Sequence, residues 1–341
     1  MATIREIADL AGVSRGTVDR VLNKRGRVRP DTEKRVKDIL HKLDYQLNGP
    51  ARALSMQKRK FKIAYIYDKS ENNTFFDDIV TGINAKVSEL HRYNIKLIIK
   101  PVGLYDTRLF LQAIHEMQRK KVDGLIISPF SDTQIAIKIN ELVEKGFPVV
   151  TCNTDSADSK RLAFVGPNYY KMGFTAGGLM GLIVSGKAQI GIVRADSREW
   201  EWRKGFIDAV TKNHPDIHIV STIEAKEDIN KVFNEIKKMM KKNPGIQAIL
   251  AETVAVYGVC RALTDMGLEK KVKVICYDDM PERRNLMKEG LVSAIVIQNP
   301  FWQGYRSFEI LWDYLLNRKL PDKEINYSVN EIRVRESLEE L

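Results

Sequence analysis

The spacing of apolar residues changes once along the chain, close to residue 60. Before that point, apolar residues recur every three or four positions in three short stretches, which predicts three amphipathic helices. After it, apolar runs of four to eight residues alternate with helical stretches of 12–20 residues. This alternation predicts parallel α/β sheets, so the expected fold is an all-α head followed by an α/β body.

Helix-capping residues separate the three predicted helices of the head. Thr3 and Glu6 have the spacing of a capping box, and Gly12 ends the first helix. Ser14 begins the second helix, and Pro30 suits the first turn of the third. The apolar stripes are Ile4, Ile7, Ala8 and Ala11; Val18, Val21 and Leu22; and Val36, Ile39, Leu40 and Leu43. The tight turn between the first two helices predicts a helix-turn-helix.

The second helix of such a motif lies in the major groove of DNA, with its first turn against the base edges. Arg15 and Gly16 occupy that turn, and Arg15 can pair with both acceptors of a guanine. Arg20 is a second candidate for base contacts, while Ser14 and Thr17 suit phosphate contacts. Either arginine can instead meet phosphate alone, because roughly half of protein–DNA hydrogen bonds or more go to the backbone.

The body shows eight strand-like runs, at 61–67, 95–102, 124–128, 149–152, 189–193, 246–251, 272–277 and 294–297. Its length of about 270 residues exceeds what one doubly wound sheet of such strands needs. We therefore expect two lobes, with a ligand cleft at the carboxyl ends of the strands.

The distribution of charge favours a nucleic-acid partner for the head. The 341 residues carry a formal net charge of +11, and residues 1–60 hold 15 Lys and Arg against seven Asp and Glu. The remaining 281 residues are nearly balanced, at 40 against 37. A concentrated basic segment with helical periodicity predicts phosphate binding through counterion release, whereas a solvated tail would lack that periodicity.

Composition and motifs exclude several other classes of protein. The three cysteines are far apart, which predicts buried thiols in a reducing cytoplasm and neither disulfides nor a zinc site. No apolar run is long enough for a membrane span, and the amino-terminus lacks a secretion signal, so a cytoplasmic location is expected. The first strand is not followed by GxGxxG, and the GxxxxGK match at 181–187 ends a helix and continues with Ala188. We therefore expect no cofactor, no metal and no enzyme activity.

The segment 7–23 carries the pattern A-x-x-A-G-V-S-x-x-T-V-x-R-V-L-N and resembles the lactose-repressor family of bacterial transcription regulators. The resemblance extends through residue 60 and implies a headpiece over 1–47 and a hinge helix with linker over 48–60. In that family a hinge leucine wedges into the minor groove, a role that falls here to Leu54; the alternative is an interdomain core residue. Departures are Asp19 in place of Ser and the rigid Gly49-Pro50 pair. The implied DNA-binding residues are Thr3, Ser14, Arg15, Gly16, Thr17, Arg20, Asn23, Asn48, Ala51 and Leu54.

The order of elements over 61–335 resembles the ribose-type periplasmic sugar-binding fold. Three crossings between lobes are then expected, near Gly166-Pro167, Asn299-Pro300 and Asn326. They divide the body into a first lobe of about 61–166 and 299–326 and a second lobe of about 167–298 and 327–335. The implied effector-binding residues are Asn73, Phe75, Phe76, Asn153, Asp155, Trp202, Arg203, Glu252, Asp278 and Gln298.

For some of these residues, the alternative is an ordinary packing role without ligand contact. Phe75 and Phe76 are also typical of the apolar start of a helix, and Trp202 is typical of ordinary packing. Trp202 replaces the arginine usual in relatives, and Glu252 stands where relatives have asparagine, so sugar specificity does not transfer.

The sequence thus predicts a cytoplasmic repressor that binds near-palindromic double-stranded operator DNA as a homodimer and responds to a small sugar-like effector. The end at residues 337–341 is too short for the heptads that build tetramers, which favours a dimer. The rival functions are a stand-alone sugar-binding protein and a sugar-modifying enzyme carrying a DNA-binding head.

Overall fold

A computed structural model describes residues 4–22, 28–42, 57, 59–68, 74–103, 105–194, 200–224, 228–252 and 255–338. The chain divides into two compact units, the first ending at Arg59 and the second beginning at Lys60.

The head consists of three helices: α1 (Ile4–Ala11), α2 (Arg15–Leu22) and α3 (Pro30–Lys42). Gly12 ends α1 with a positive φ of 63°, a conformation that glycine adopts without strain. The Ser14 hydroxyl accepts a hydrogen bond from the Thr17 N–H at 3.1 Å and so caps α2. The buried core is Ile7, Ala8, Ala11, Val18, Val21 and Val36, drawn from all three predicted stripes. The three predicted helices are confirmed.

The first sheet of the body has six parallel strands in the spatial order β11-β5-β4-β3-β1-β2. They are β1 (Lys60–Asp68), β2 (Asn94–Val102), β3 (Gly124–Ser128), β4 (Val149–Cys152), β5 (Ala163–Gly166) and β11 (Ile325–Tyr327). The accompanying helices are α4 (Phe75–Glu89), α5 (Thr107–Arg119), α6 (Thr133–Glu144) and α12 (Pro300–Asn317). Successive side chains of β1 face opposite ways: Ala64 packs with α5 and α6, while Phe61 contacts Trp312 of α12. This sheet with its helices is the first lobe.

The second sheet has the order β12-β10-β9-β8-β6-β7, in which β12 runs antiparallel to β10 and the other neighbours pair in parallel. Its strands are β6 (Ala188–Arg194), β7 (Ile217–Glu224), β8 (Ile246–Ala251), β9 (Lys273–Tyr277), β10 (Ala294–Ile297) and β12 (Glu331–Arg333). Its helices are α7 (Tyr169–Ile183), α8 (Trp200–Asn213), α9 (Ile229–Lys242), α10 (Ala255–Asp265) and α11 (Pro281–Lys288). Helices α7 and α8 cover one face and α9 to α11 the other. This sheet with its helices is the second lobe.

The chain passes between the two sheets three times, after β5, after β10 and after β11. The expected α/β class is confirmed, with two sheets whose strands are parallel apart from β12, and each of the eight strand-like runs falls on a strand. The third crossing lies next to the expected position. Asn326 is inside β11, where it pairs with Val165, so the chain leaves the first sheet only after Tyr327. The backbone pairing of β11, which the apolar pattern does not reveal, determines this boundary.

Glycines bring one pair of helices in each lobe into backbone contact. In the second lobe, a Cβ at Gly173 would lie 1.7 Å from the backbone oxygen of Trp202, and one at Gly205 would lie 2.0 Å from that of Tyr170. Helices α7 and α8 therefore approach each other closely at the level of Trp202. The same reciprocal contact joins α4 to α12 in the first lobe, through Gly82 and Gly304.

The three cysteines are buried and form no disulfide, as predicted. Burial raises the pKa of each thiol to about 12, so all three remain protonated at neutral pH. Among the described residues, no helix combines the length and apolarity that a membrane span requires.

Candidate functional site

A row of hydrogen-bonded side chains connects the two lobes at the carboxyl ends of their strands. Asn153 follows β4 of the first sheet, and its Nδ2 donates to Gln298 Oε1 at 2.9 Å. Gln298 follows β10 of the second sheet, and its Nε2 donates to Asp278 Oδ1 at 2.8 Å. Asp278 follows β9. Three of the predicted effector-binding residues are thus brought together, at the edge where parallel sheets hold their ligands.

The backbone at these positions is in an unusual conformation. Asn153 has φ 67°, Asp278 has φ 62° and Asn299, beside Gln298, has φ 53°. All three lie in the left-handed region, which asparagine and aspartate tolerate better than other non-glycine residues. Such residues turn the chain sharply out of a strand and are frequent at functional sites. The turn at Asn299 lies at the second crossing between lobes.

Asp278 is a carboxylate held in a largely dry environment. Burial raises its pKa above the usual value, and this outweighs the opposing influence of the Arg283 guanidinium. Arg283 is itself buried, and its Nη1 lies 3.8 Å from Asp278 Oδ2 while donating to the backbone oxygen of Asp278 at 3.1 Å. A carboxylate in this setting gains from additional hydrogen-bond donors, because each one replaces lost hydration.

An aromatic cluster lies next to this row in the second lobe. The Trp202 ring stacks on the Tyr277 ring with centroids 4.5 Å apart, and Tyr277 directly precedes Asp278. Tyr169 meets Trp202 edge-on at 6.1 Å, and its hydroxyl donates to the backbone oxygen of Asn153 at 3.2 Å. Trp202 is 4% exposed, and within the described part of the chain its indole N–H has no hydrogen-bond partner.

Arg203 and Glu252 form an ion pair across the same lobe. Arg203 Nη2 lies 3.2 Å from Glu252 Oε2, and Glu252 is fully buried at the end of β8. A buried carboxylate requires such a partner, because isolated charges are costly to remove from water. Glu252, one of the two departures from the sugar-binding pattern, is therefore paired with the residue that follows the other departure, Trp202.

The two phenylalanines at the start of α4 take part in a separate aromatic cluster in the first lobe. The ring centroids of Phe76 and Tyr67 of β1 are 5.0 Å apart, and the Phe75 ring meets the Phe76 ring edge-on with centroids 5.4 Å apart. Both rings are half-buried. This packing agrees with the alternative of an apolar helix start. Asn73 lies outside the described residues.

Asp155 is engaged by a neighbouring arginine. Its two carboxylate oxygens accept hydrogen bonds from Arg161 Nε at 2.5 Å and Nη2 at 2.6 Å, and Oδ1 also accepts from the Thr151 hydroxyl at 2.7 Å. Arg161 is buried and bonds Glu324 as well, at 2.7 Å. This network ties the turn after β4 to the start of β11. The expected effector contact of Asp155 remains a prediction, and the observed contacts are structural.

In the head, the described candidates lie on α2 or, in the case of Ser14, immediately before it. The hydroxyl groups of Ser14 and Thr17 lie 3.0 Å apart, and Arg20 Nε donates to the backbone oxygen of Gly16 at 3.1 Å. Arg15, Gly16 and Arg20 are exposed, as a DNA contact requires. The remaining candidates lie outside the described residues: Thr3, Asn23, Asn48, Ala51 and Leu54.

Gln303 is a site residue that the sequence analysis missed. It lies in the first turn of α12 and is fully buried, and its Oε1 accepts from Asn153 Nδ2 at 3.1 Å. The available signal was a polar stripe on an apolar helix: Gln303 and Ser307 are four residues apart among Gly304, Phe308 and Leu311.

Comparison with known proteins agrees with both parts of this description. The body matches the family described as periplasmic binding protein domain over residues 63–319, and the head matches the lacI family of bacterial regulatory proteins over residues 3–48. The chain is 31% identical over 291 residues to the HTH-type transcriptional regulator RegA of Clostridium saccharobutylicum, covering 82% of this chain and 83% of that one. The chain belongs to the lacI family. This lacI-family protein is also 26% identical to catabolite control protein A of Priestia megaterium, covering 98% of both chains.

Solved structures support the same architecture for the body. GanP, a glucose-galactose binding protein from Geobacillus stearothermophilus, superposes with a TM-score of 0.71, covering 82% of this chain and 99% of that one. The two are 23% identical, so this likeness concerns the fold. With the helix-turn-helix and the family match, the lacI-family chain is a DNA-binding transcription regulator.

Proposed function

We propose that this regulator is a cytoplasmic repressor whose homodimer binds near-palindromic operator DNA and whose body binds a small, neutral, sugar-like effector between its lobes. The observation that carries the effector proposal is the hydrogen-bonded row Asn153–Gln298–Asp278. It places amide and carboxylate groups from both sheets at one edge, where hydroxyl groups of a ligand can contact both lobes at once. We assign no catalytic role to any residue.

The neighbouring side chains suit a polyhydroxylated ligand. The stacked Trp202 and Tyr277 rings and the half-buried Phe75 and Phe76 supply aromatic surface for the apolar face of a sugar ring. The buried N–H of Trp202 would gain a partner from a ligand oxygen. The Arg203 guanidinium is paired with the Glu252 carboxylate, so its positive charge is offset and gives little preference for an anionic ligand over a neutral one.

The head is the part of the proposed repressor that binds operator DNA. Arg15 and Arg20 are exposed on α2, which supports their proposed base and phosphate contacts, and occupancy of operator DNA excludes other proteins from it. A homodimer presents two such helices related by two-fold symmetry, so its target contains two inverted half-sites.

Two measurements on the full-length protein test this function. Selection from a randomised double-stranded DNA library should enrich inverted half-sites at moderate salt, and a scrambled duplex of equal length is the control. A thermal-shift panel of D-glucose, D-galactose, D-allose, D-ribose and D-xylose should then identify a stabilising sugar. Enrichment of no sequence would contradict the operator proposal, and the absence of any stabilising monosaccharide would contradict the effector proposal.

A further inference from the structure

Gln303 connects the two proposed effector contacts that come from different sheets. Its Nε2 donates to the backbone oxygen of Gln298 at 2.7 Å and to Gln298 Oε1 at 3.3 Å. Its Oε1 accepts from Asn153 Nδ2 at 3.1 Å. With no exposed surface of its own, Gln303 cannot contact a ligand and can act only through these neighbours.

At both ends of the hydrogen-bonded row, a group that can only accept hydrogen bonds fixes which way the amides donate. At one end, the backbone oxygen of Gln298 requires a donor, so Gln303 must present Nε2 to it and Oε1 to Asn153. At the other end, the Asp278 carboxylate requires a donor, so Gln298 must present Nε2 to it and Oε1 to Asn153. Reversal of either glutamine amide would bring oxygen against oxygen. Asn153 is therefore held with its Nδ2 toward both glutamines.

This arrangement leaves acceptors for a ligand. Among the described residues, no hydrogen bond involves Asn153 Oδ1. The nearest guanidinium nitrogen of Arg283 lies 3.8 Å from Asp278 Oδ2, which is beyond hydrogen-bond distance. Both atoms are acceptors at the junction of the two sheets. A ligand that contacts them must supply donors, as the hydroxyl groups of a sugar do.

We propose that Gln303 is a positioning residue that orients the amides of Asn153 and Gln298, so that Asn153 Oδ1 and Asp278 Oδ2 accept hydrogen bonds from effector hydroxyl groups. This inference rests on the proposed sugar-binding function. It assigns selectivity for ligand hydroxyl groups to a buried side chain that does not contact the ligand. Gln303 and Asn153 both belong to the first lobe, whereas Gln298 follows β10 of the second sheet. The contacts of Gln298 with Asn153 and Gln303 therefore depend on the relative placement of the two sheets.

A purely structural role for Gln303 would affect binding of all ligands equally, whereas a positioning role affects discrimination between them. The test therefore compares the most stabilising monosaccharide of the panel with its monodeoxy analogues by titration calorimetry. The analogue that wild-type protein rejects most strongly identifies the hydroxyl group with the best-oriented partner. The variant Gln303→Met preserves length and apolar packing but removes both the donor and the acceptor.

Gln303→Met should bind the parent sugar about tenfold more weakly, which corresponds to about 1.4 kcal/mol. It should bind the rejected analogue with nearly unchanged affinity, so that discrimination is lost. The matched control is Ser307→Ala, which removes a buried hydroxyl bonded to the Gln303 backbone oxygen at 2.7 Å and leaves the row intact. This control should keep wild-type discrimination.

Wild-type discrimination in Gln303→Met would overturn the inference, even if both affinities fell together. Should that variant not fold, Gln303→Glu is measured in its place. Glu keeps the acceptor toward Asn153 but brings an oxygen against the Gln298 carbonyl, so it should also lose discrimination, and retention would overturn the inference. Failure of wild-type protein to bind any sugar of the panel would overturn the effector proposal and this inference together.

Discussion

Asn153 and Gln298 lie 145 positions apart in the sequence and are joined by a 2.9 Å hydrogen bond between the first sheet and the second. Gln298 directly precedes the second crossing between lobes, where Asn299 turns the chain with a left-handed backbone. The residues proposed to bind the effector are therefore also residues that connect the lobes. A ligand that prefers one arrangement of these side chains would shift the balance between arrangements of the lobes, which is the requirement for allosteric control.

The first prediction concerns the Asp278 carboxylate. Asp278→Asn keeps the shape and removes the charge, and hydrogen bonds to charged groups are worth about 1.5–3 kcal/mol against about 1 kcal/mol for neutral ones. Affinity for the stabilising sugar should fall about tenfold or more, while operator affinity without sugar stays unchanged. Calorimetry and fluorescence anisotropy measure the two quantities. Asp265→Asn, which removes an exposed carboxylate paired with Lys237, controls for the change in net charge. Unchanged sugar affinity would remove Asp278 from the site.

The second prediction concerns the pH dependence of stability. Because burial raises the pKa of Asp278, the folded protein binds this proton more tightly than the unfolded chain does. Its contribution therefore becomes less favourable as the pH rises through the raised pKa. Asp278→Asn should be more stable than wild type at pH 7, and the difference should shrink as the pH falls toward 4. Urea midpoints across this range measure the effect.

Glu116 supplies a control of opposite sign for that experiment. Hydrogen bonds from Lys100 and Lys120 lower its pKa to about 2. Its contribution is present above the unfolded pKa and is lost as the pH falls toward 2. Glu116→Gln should therefore be less stable than wild type at pH 7 and approach it in acid. If both variants shifted in the same direction, the assignment of the Asp278 pKa would be wrong.

The third prediction concerns the reciprocal glycine contacts of the second lobe. Gly173→Ala would place a Cβ 1.7 Å from the backbone oxygen of Trp202, so α7 and α8 must separate, at a cost of about 3 kcal/mol. Gly178→Ala lies on the same helix with nothing within 4 Å of its Cβ, and it should stabilise by about 0.5–1 kcal/mol. Chemical denaturation compares the two variants. Equal stabilities would show that the helices are not in close backbone contact.

The fourth prediction concerns base recognition by the head. If Arg15 pairs with guanine, Arg15→Ala should relax the preference at one base position of each half-site by about 1–3 kcal/mol. Selection on randomised half-sites measures the base preference at each position for wild type and variant. A uniform loss of affinity with an unchanged base profile would instead assign Arg15 to phosphate.

Local patterns were sufficient to predict most of the fold. Continuous apolar runs identified eight strands, most of them buried, and helical spacing with caps identified the three head helices. The strands at β7, β11 and β12 were missed because much of each is exposed. The strand β5 was missed although β4 and β10 are equally short. Such strands are defined by backbone pairing with neighbours distant in sequence, which no short apolar run reveals.

The candidate site was predictable where residue type and strand position both carried information. Asn153, Asp278 and Gln298 each follow a strand, and the topology brings them together. The engagement of Asp155 by Arg161, in contrast, depends on the path of a turn. Gln303 lies within a helix at a position typical of core residues, so its contacts emerge only from the packing of α12 against the crossing between lobes.

Sugar and operator should affect each other's binding through one protein. Linkage requires that the factor by which the sugar changes operator affinity equals the factor by which operator changes sugar affinity. Anisotropy of selected operator with and without saturating sugar gives the first factor, and calorimetry of the sugar with and without operator gives the second. We expect two equal factors of about fivefold or more. If both factors equalled one although both ligands bind, the proposed coupling between sugar and operator would be contradicted.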